Sequence, residues 1–125
     1  MQIQIYYEDT DAGGIVYHSK YINFCERARS QIFFDKGMIP GEDEKSGFVV
    51  KHIEADFIRS ARLGDLLEVK THIEETRRTS LSLRQEIFKE ETLLFSMHAQ
   101  LVYMKEGRIS RIPEHFLILF ETLSA

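Results

Sequence analysis

One change of hydrophobic period constrains the fold more than any other feature of the chain. Across residues 19–36, Tyr21, Phe24, Cys25, Ala28 and Ile32 recur at i, i+3, i+4, i+7 and i+11, a single apolar stripe along a helix. Ser19 suits its N-cap and Gly37 the position just past its end. Glu26 and Arg29 are spaced to pair on its outer face. After Gly47 the period becomes two and stays there. Ile53, Ala55 and Phe57 share one face, as do Leu67, Val69, Thr71 and Ile73. Leu81, Leu83 and Ile87 follow, and then a long row of Leu93, Phe95, Met97, Ala99, Leu101 and Tyr103. Turn residues at 63–65, 77–79 and 89–91 separate these runs. One apolar-striped helix cannot bury itself alone, so it must lie on the inner face of the sheet that the strands make.

The ends complete the order. Ile3, Ile5 and Tyr7 alternate with Gln2 and Gln4, which predicts a first half-buried strand. Residues 8–16 and 38–47 read as loops. Pro113 opens a short C-terminal helix with Phe116, Phe120 and Leu123 as its apolar side. Four consecutive strands after the helix, joined by short connections, predict an antiparallel meander. The expected architecture is α+β: a long central helix wrapped by a five-stranded antiparallel sheet, with a short C-terminal helix. At 125 residues it fits a single domain, 1–125.

Composition narrows the function classes. The net charge is −4, without the basic excess of a nucleic-acid binder. The single cysteine, Cys25, excludes an internal disulfide and a cysteine metal site, and points to a reducing compartment. The first residues show no signal-peptide pattern, and no apolar run reaches the roughly 20 residues of a membrane helix. The cytoplasm is the expected location.

Ionisable groups gather in the loop between the first strand and the helix, where Glu8, Asp9, Asp11 and His18 lie. The loop ends at a helix N-terminus, which offers unpaired N–H groups and partial positive charge. Gly13 and Gly14 allow the backbone to approach a ligand. Attack on a thioester needs a carboxylate as nucleophile or general base, and N–H donors for the developing oxyanion. Asp11 and the His18 N–H are candidates for these parts. The same residue types also suit a turn in which Asp11 only bonds nearby backbone and His18 only starts a helix. A metal site of Glu8, Asp9, Asp11 and His18 lacks a recognisable ligand spacing.

The run from Tyr6 through Asp9-Thr10-Asp11-Ala12-Gly13-Gly14-Ile15-Val16-Tyr17-His18 to Tyr21, continuing into Glu26-Arg27-Ala28-Arg29, resembles the YbgC-type acyl-CoA thioesterases. These are kin of the 4-hydroxybenzoyl-CoA thioesterases and have the hotdog fold. Residues 56–65 resemble the family's second strand and following turn. The resemblance implies a cofactor-independent hydrolase of acyl-CoA, with coenzyme A entering only as part of the substrate. It implies Asp11 as catalytic carboxylate and the His18 main-chain N–H as polariser of the thioester carbonyl. The His18 imidazole and the Tyr7 hydroxyl are implied as assistants. Gly14, Val16 and Tyr17 would meet the substrate at the loop. Arg59 and the basic turn Arg77-Arg78-Thr79 would meet the coenzyme A phosphates. It implies a homodimer or homotetramer, with acyl carrier protein as an alternative carrier of the acyl group. The Gly13-Gly14 pair departs from the small or acidic residue common in the family and leaves acyl specificity open. Two competing functions on the same fold are a non-catalytic acyl-CoA or acyl-carrier binding module, which would lack the loop carboxylate, and a hydro-lyase. The hydro-lyase would need a His partnered with an acid on the helix, and the helix offers Glu26 without a His beside it.

Overall fold

The structure, a computed structural model, describes residues 1–124 and, of Ser124, the backbone only; Ala125, within the expected domain, lies outside the described residues. Strand β1 is Gln2–Gln4, and a 3-10 turn covers Tyr7–Asp9. Helix α1 is His18–Phe34. Strands β2 (Ser46–Phe57), β3 (Leu66–Thr76), β4 (Ser80–Lys89), β5 (Thr92–Lys105) and β6 (Arg108–Ile109) follow, then helix α2 (Glu114–Ser124). All pairings are antiparallel, in the order β1-β3-β4-β5-β2 with β6 added to β5.

The expected meander holds for β3, β4 and β5 but not for β2, which pairs along β5 at the far side of the sheet from β3. Three strand spacings separate β2 from β3, about 14 Å at 4.8 Å each. The connection, residues 58–65, reaches up to about 26 Å when extended, so it can cross the end of the sheet. It is fastened on the way: the Ile58 and Arg59 N–H groups both bond the Leu94 carbonyl, and the Gly64 N–H bonds that of Ile5. Register shifts at Val50/His52, Ile73/Glu75 and Ile87/Phe88 mark irregularities of the kind that bend and twist a sheet. The short β6 closes a hairpin through Glu106 and Gly107, both at positive φ, and sequence alternation over two residues is too brief to announce it.

The inner face carries α1. Tyr21, Phe24, Cys25 and Ala28 are buried as the stripe predicts, but the last buried position is Phe33, with Ile32 only partly covered. Phe33 turns inward because α2 closes that end of the core. Its ring lies 5.4 Å from Phe116 and 6.1 Å from Phe120, and Phe48 packs on both. On α2 the buried residues are Phe116, Leu119 and Phe120, while the expected Leu123 is exposed. The helix starts at His18 rather than Ser19, with Tyr17 at the cap position and no side-chain cap. Its far end closes as expected at Gly37, with φ of 70°. There the Gly37 and Met38 N–H groups bond the carbonyls of Phe34 and Phe33, respectively.

One inward position of β4 is polar. Gln85 is fully buried, donates to the Cys25 carbonyl (2.8 Å) and Thr71 Oγ1 (3.0 Å), and accepts from Arg29 Nη1 (2.9 Å). Arg29 therefore reaches into the sheet instead of pairing on the outer face with Glu26, which accepts from Ser30. Burial pushes the Cys25 thiol up to about 12, against the opposing pull of Arg29. Tyr7 also departs from expectation. It leaves the strand for the 3-10 turn and stands 81% exposed, since the inward row ends at Ile5.

Candidate active site

Residues 8–17 are held from several sides. Asp9, buried, accepts the Tyr6 N–H on Oδ2 at 2.9 Å, and Lys20 Nζ lies 3.7 Å from its Oδ1. Its carbonyl takes the Tyr17 N–H. Thr10 and Val16 bridge across the loop, and Ile15 bridges to Arg62. The Val16 N–H bonds the Ala61 carbonyl, and the Ala61 N–H bonds the Tyr21 hydroxyl at 2.9 Å. This relay locks loop, α1 and the 58–65 connection together. Burial pushes the Tyr21 hydroxyl above its ordinary pKa, helped by Asp65 and opposed by the Ala61 N–H.

Inside this frame, Asp11 begins a turn closed by the Gly14 N–H on the Asp11 carbonyl (3.0 Å). Gly14 sits at φ of 80°, in the left-handed region that favours glycine. The Gly13 N–H donates to Asp11 Oδ1 at 2.8 Å, and a Cβ at Gly13 would stand 3.2 Å from that oxygen. Gly13 thus orients the carboxylate, a role the sequence reading did not assign.

Asp11 lines a cleft of about 240 Å³ together with Val16, Tyr17, His18 and Arg59. Its other wall is apolar and comes from Tyr21, Phe57 and Ile58. Phe57 keeps the inward direction expected of it but remains 53% exposed because it faces this opening. Its ring lies 6.4 Å from His18, 5.9 Å from Tyr21 and 5.0 Å from Phe95. The His18 imidazole also packs against Tyr17 at 4.3 Å. Among the described residues, no hydrogen bond within the chain uses the His18 or Ser19 N–H, so the start of α1 keeps donors free beside the cleft.

The structure thus brings together Asp11, Val16, Tyr17, His18 and Arg59, with Gly14 in the adjoining turn. It does not bring in Tyr7 or the basic turn. Tyr7 is not among the cleft-lining residues. Arg77 lines a separate groove with His52, Glu74 and His98 on the outer face of the sheet, and Arg78 lines another beside Tyr103. The Thr79 carbonyl accepts the Tyr103 N–H, eight residues along β5 from Phe95 at the cleft end, about 26 Å at strand rise. Tyr21, Phe57 and Ile58 were missed as lining residues. Phe57 and Ile58 reach this end of the sheet only because β2 lies beside β5, a pairing no local pattern announces, and Tyr21 meets them from α1. Among the described residues, no group of three or more His, Cys, Asp or Glu side chains could hold a metal ion.

The family model described as "Thioesterase superfamily" matches residues 13–96. The "Acyl-CoA thioesterase YbgC" of Helicobacter pylori is 48% identical over 88 residues, 70% of this chain and 65% of that protein. The chain thus matches slightly less than two-thirds of that relative's length. The Haemophilus influenzae protein of the same name is 31% identical over 115 residues, 88% of this chain and 83% of its own. The solved structure of a probable thioesterase from Bartonella henselae superposes with a TM-score of 0.84 at 34% identity, covering 90% of this chain and 97% of that one. The curled antiparallel sheet around a long helix is the hotdog fold, and the chain belongs to the thioesterase superfamily.

Proposed function

We propose that the chain hydrolyses acyl-CoA thioesters to the free acid and coenzyme A. The observation that carries this reading is the meeting of the Asp11 carboxylate and the free N-terminus of α1 at one cleft with an aromatic wall. Asp11 acts as nucleophile or as general base for water. The His18 N–H donates to the thioester oxygen as negative charge develops there, the step at which such a donor is worth most. Gly14, Val16 and Tyr17 border the acyl thioester, with Phe57 and Ile58 against its apolar part. Arg59 lies where a phosphate-bearing substrate enters. No cofactor takes part in these steps.

A substrate role for Arg77, Arg78 and Thr79 requires a neighbouring subunit, because on this chain they sit at the far end of β5 from the cleft. The free outer edge of β2, with Val49 and Val50 exposed, supports a homodimer or a dimer of dimers. That the Helicobacter pylori and Haemophilus influenzae relatives are named acyl-CoA thioesterases supports coenzyme A as carrier, with acyl carrier protein as the alternative. The single buried Cys25 supports a cytoplasmic setting. The test is release of free thiol from a panel of acyl-CoA esters, short, long and aromatic. Saturable release from at least one ester is expected. No release from any ester by folded protein overturns the coenzyme A reading.

A further inference from the structure

Phe57 stands in the apolar wall of the Asp11 cleft, and what lies behind it decides how much substrate the cleft admits. Its ring is 6.4 Å from the His18 imidazole, at the start of α1. A thioester whose carbonyl meets the His18 N–H therefore has its first acyl carbons within reach of this ring.

The ring is a fixed wall. Phe57 is the last residue of β2 and pairs in register with Phe95. The next two N–H groups, of Ile58 and Arg59, both bond the Leu94 carbonyl, at 2.9 and 3.0 Å. The backbone is thus held on β5 at this residue and just past it. Behind the ring the core is full. Phe95 is fully buried with its ring 5.0 Å away. Tyr21, also buried, lies 5.9 Å away and stacks on Phe95 at 5.3 Å. Protein interiors are close-packed, so these rings leave no space into which Phe57 could retreat. The cleft itself, about 240 Å³, is smaller than the roughly 300–1,000 Å³ of pockets that enclose a whole small-molecule ligand. It has room for a thioester and a short acyl group, and a longer chain runs into Phe57.

We infer that Phe57 is a specificity-determining residue that sets an upper limit on acyl length, so that the substrates are short-chain acyl thioesters. The inference rests on the reading of this cleft as the site of thioester hydrolysis. Thiol release from butyryl-CoA and dodecanoyl-CoA is measured for the native protein, Phe57→Ala and Phe57→Leu. Half of the ring already faces the opening, so truncating it spares the packed rings behind. Native kcat/KM should favour butyryl-CoA at least about tenfold, because even one methylene too many in an apolar pocket costs that much. Phe57→Ala should cut this preference at least tenfold by raising kcat/KM for the longer ester, with Phe57→Leu in between. The same proteins are titrated calorimetrically with S-butyl-CoA and S-dodecyl-CoA, thioethers that have no carbonyl to hydrolyse. Their affinity ratio should shift in the same direction. That ratio separates the two claims: a shifted ratio without thiol release from any ester refutes the hydrolysis and upholds the role of Phe57. A native preference for the longer chain, a ratio unchanged in both variants, or binding of neither thioether overturns the inference.

Discussion

His18 permits a substitution that removes a backbone donor while sparing the helix. It is the first residue of α1, the position proline tolerates best, because its fixed φ is already helical there. The residue before it must be extended, and Tyr17 is, at φ of −66° and ψ of 138°. Among the described residues the His18 N–H serves no acceptor, so deleting it removes no structural hydrogen bond there. His18→Pro should therefore leave the unfolding midpoint within about 0.5 kcal/mol of the native value, as for substitutions away from structural features. If that N–H polarises the thioester carbonyl, its loss lowers kcat about 10²–10³-fold, or 2.7–4 kcal/mol. His18→Ala is the control, since it removes the imidazole and keeps the N–H. The assay is steady-state thiol release by all three proteins on the best ester, alongside urea unfolding. A folded His18→Pro protein with kcat within about threefold of His18→Ala, less than 1 kcal/mol apart, would refute the oxyanion role of the α1 N-terminus.

Two further outcomes follow from the frame around the cleft. Tyr21→Phe keeps the ring on Phe95 but leaves the Ala61 N–H buried without its acceptor, an expected loss of about 1–3 kcal/mol, read as a lower urea midpoint at unchanged slope; an unchanged midpoint would mean that N–H finds another partner. Asp65 tests the charge balance beneath the connection. Burial works to raise its pKa, but the Lys89 ammonium at 2.9 Å, the Arg62 N–H at 2.8 Å and the charges of both residues hold it below the usual carboxylate range. A lowered folded pKa gives stability that is present above the unfolded value, about 3.9, and lost as pH falls through the folded one. Asp65→Asn should therefore be less stable than the native chain at pH 7, with the gap closing only in acid below about pH 4; a gap that widens as the pH falls would contradict that balance.

How far the residues announce the structure depends on the range of the interaction. The α1 stripe and the inward row of β5 were legible because a helix or strand facing one core repeats its pattern locally. Phe33 displaced Ile32 because α2, eighty residues on, supplies the surface that covers it. Gln85 interrupts an apolar row because it meets Arg29 and a helix carbonyl, partners that no alternation encodes. The expected meander sets β2 beside β3, whereas it lies beside β5, because a connection's length says how far it can reach and not where it lands. At the site, Asp11 and His18 were legible through their motif. The aromatic wall of Tyr21 and Phe57, and the orienting contact from Gly13, depend on tertiary placement and were not.

The central claim is that the Asp11 carboxylate does the chemistry, and replacing one of its oxygens with nitrogen tests it most directly. Asp11→Asn keeps the side chain's size and its Oδ1 position beside the Gly13 N–H. Thiol release from the best acyl-CoA ester, measured for native protein and variant side by side, should fall at least about a hundredfold, the scale of a positioned acid–base group, with the fold intact by circular dichroism. A folded Asp11→Asn protein that releases thiol at close to the native rate would contradict the account and move the chemistry to another residue of the cleft.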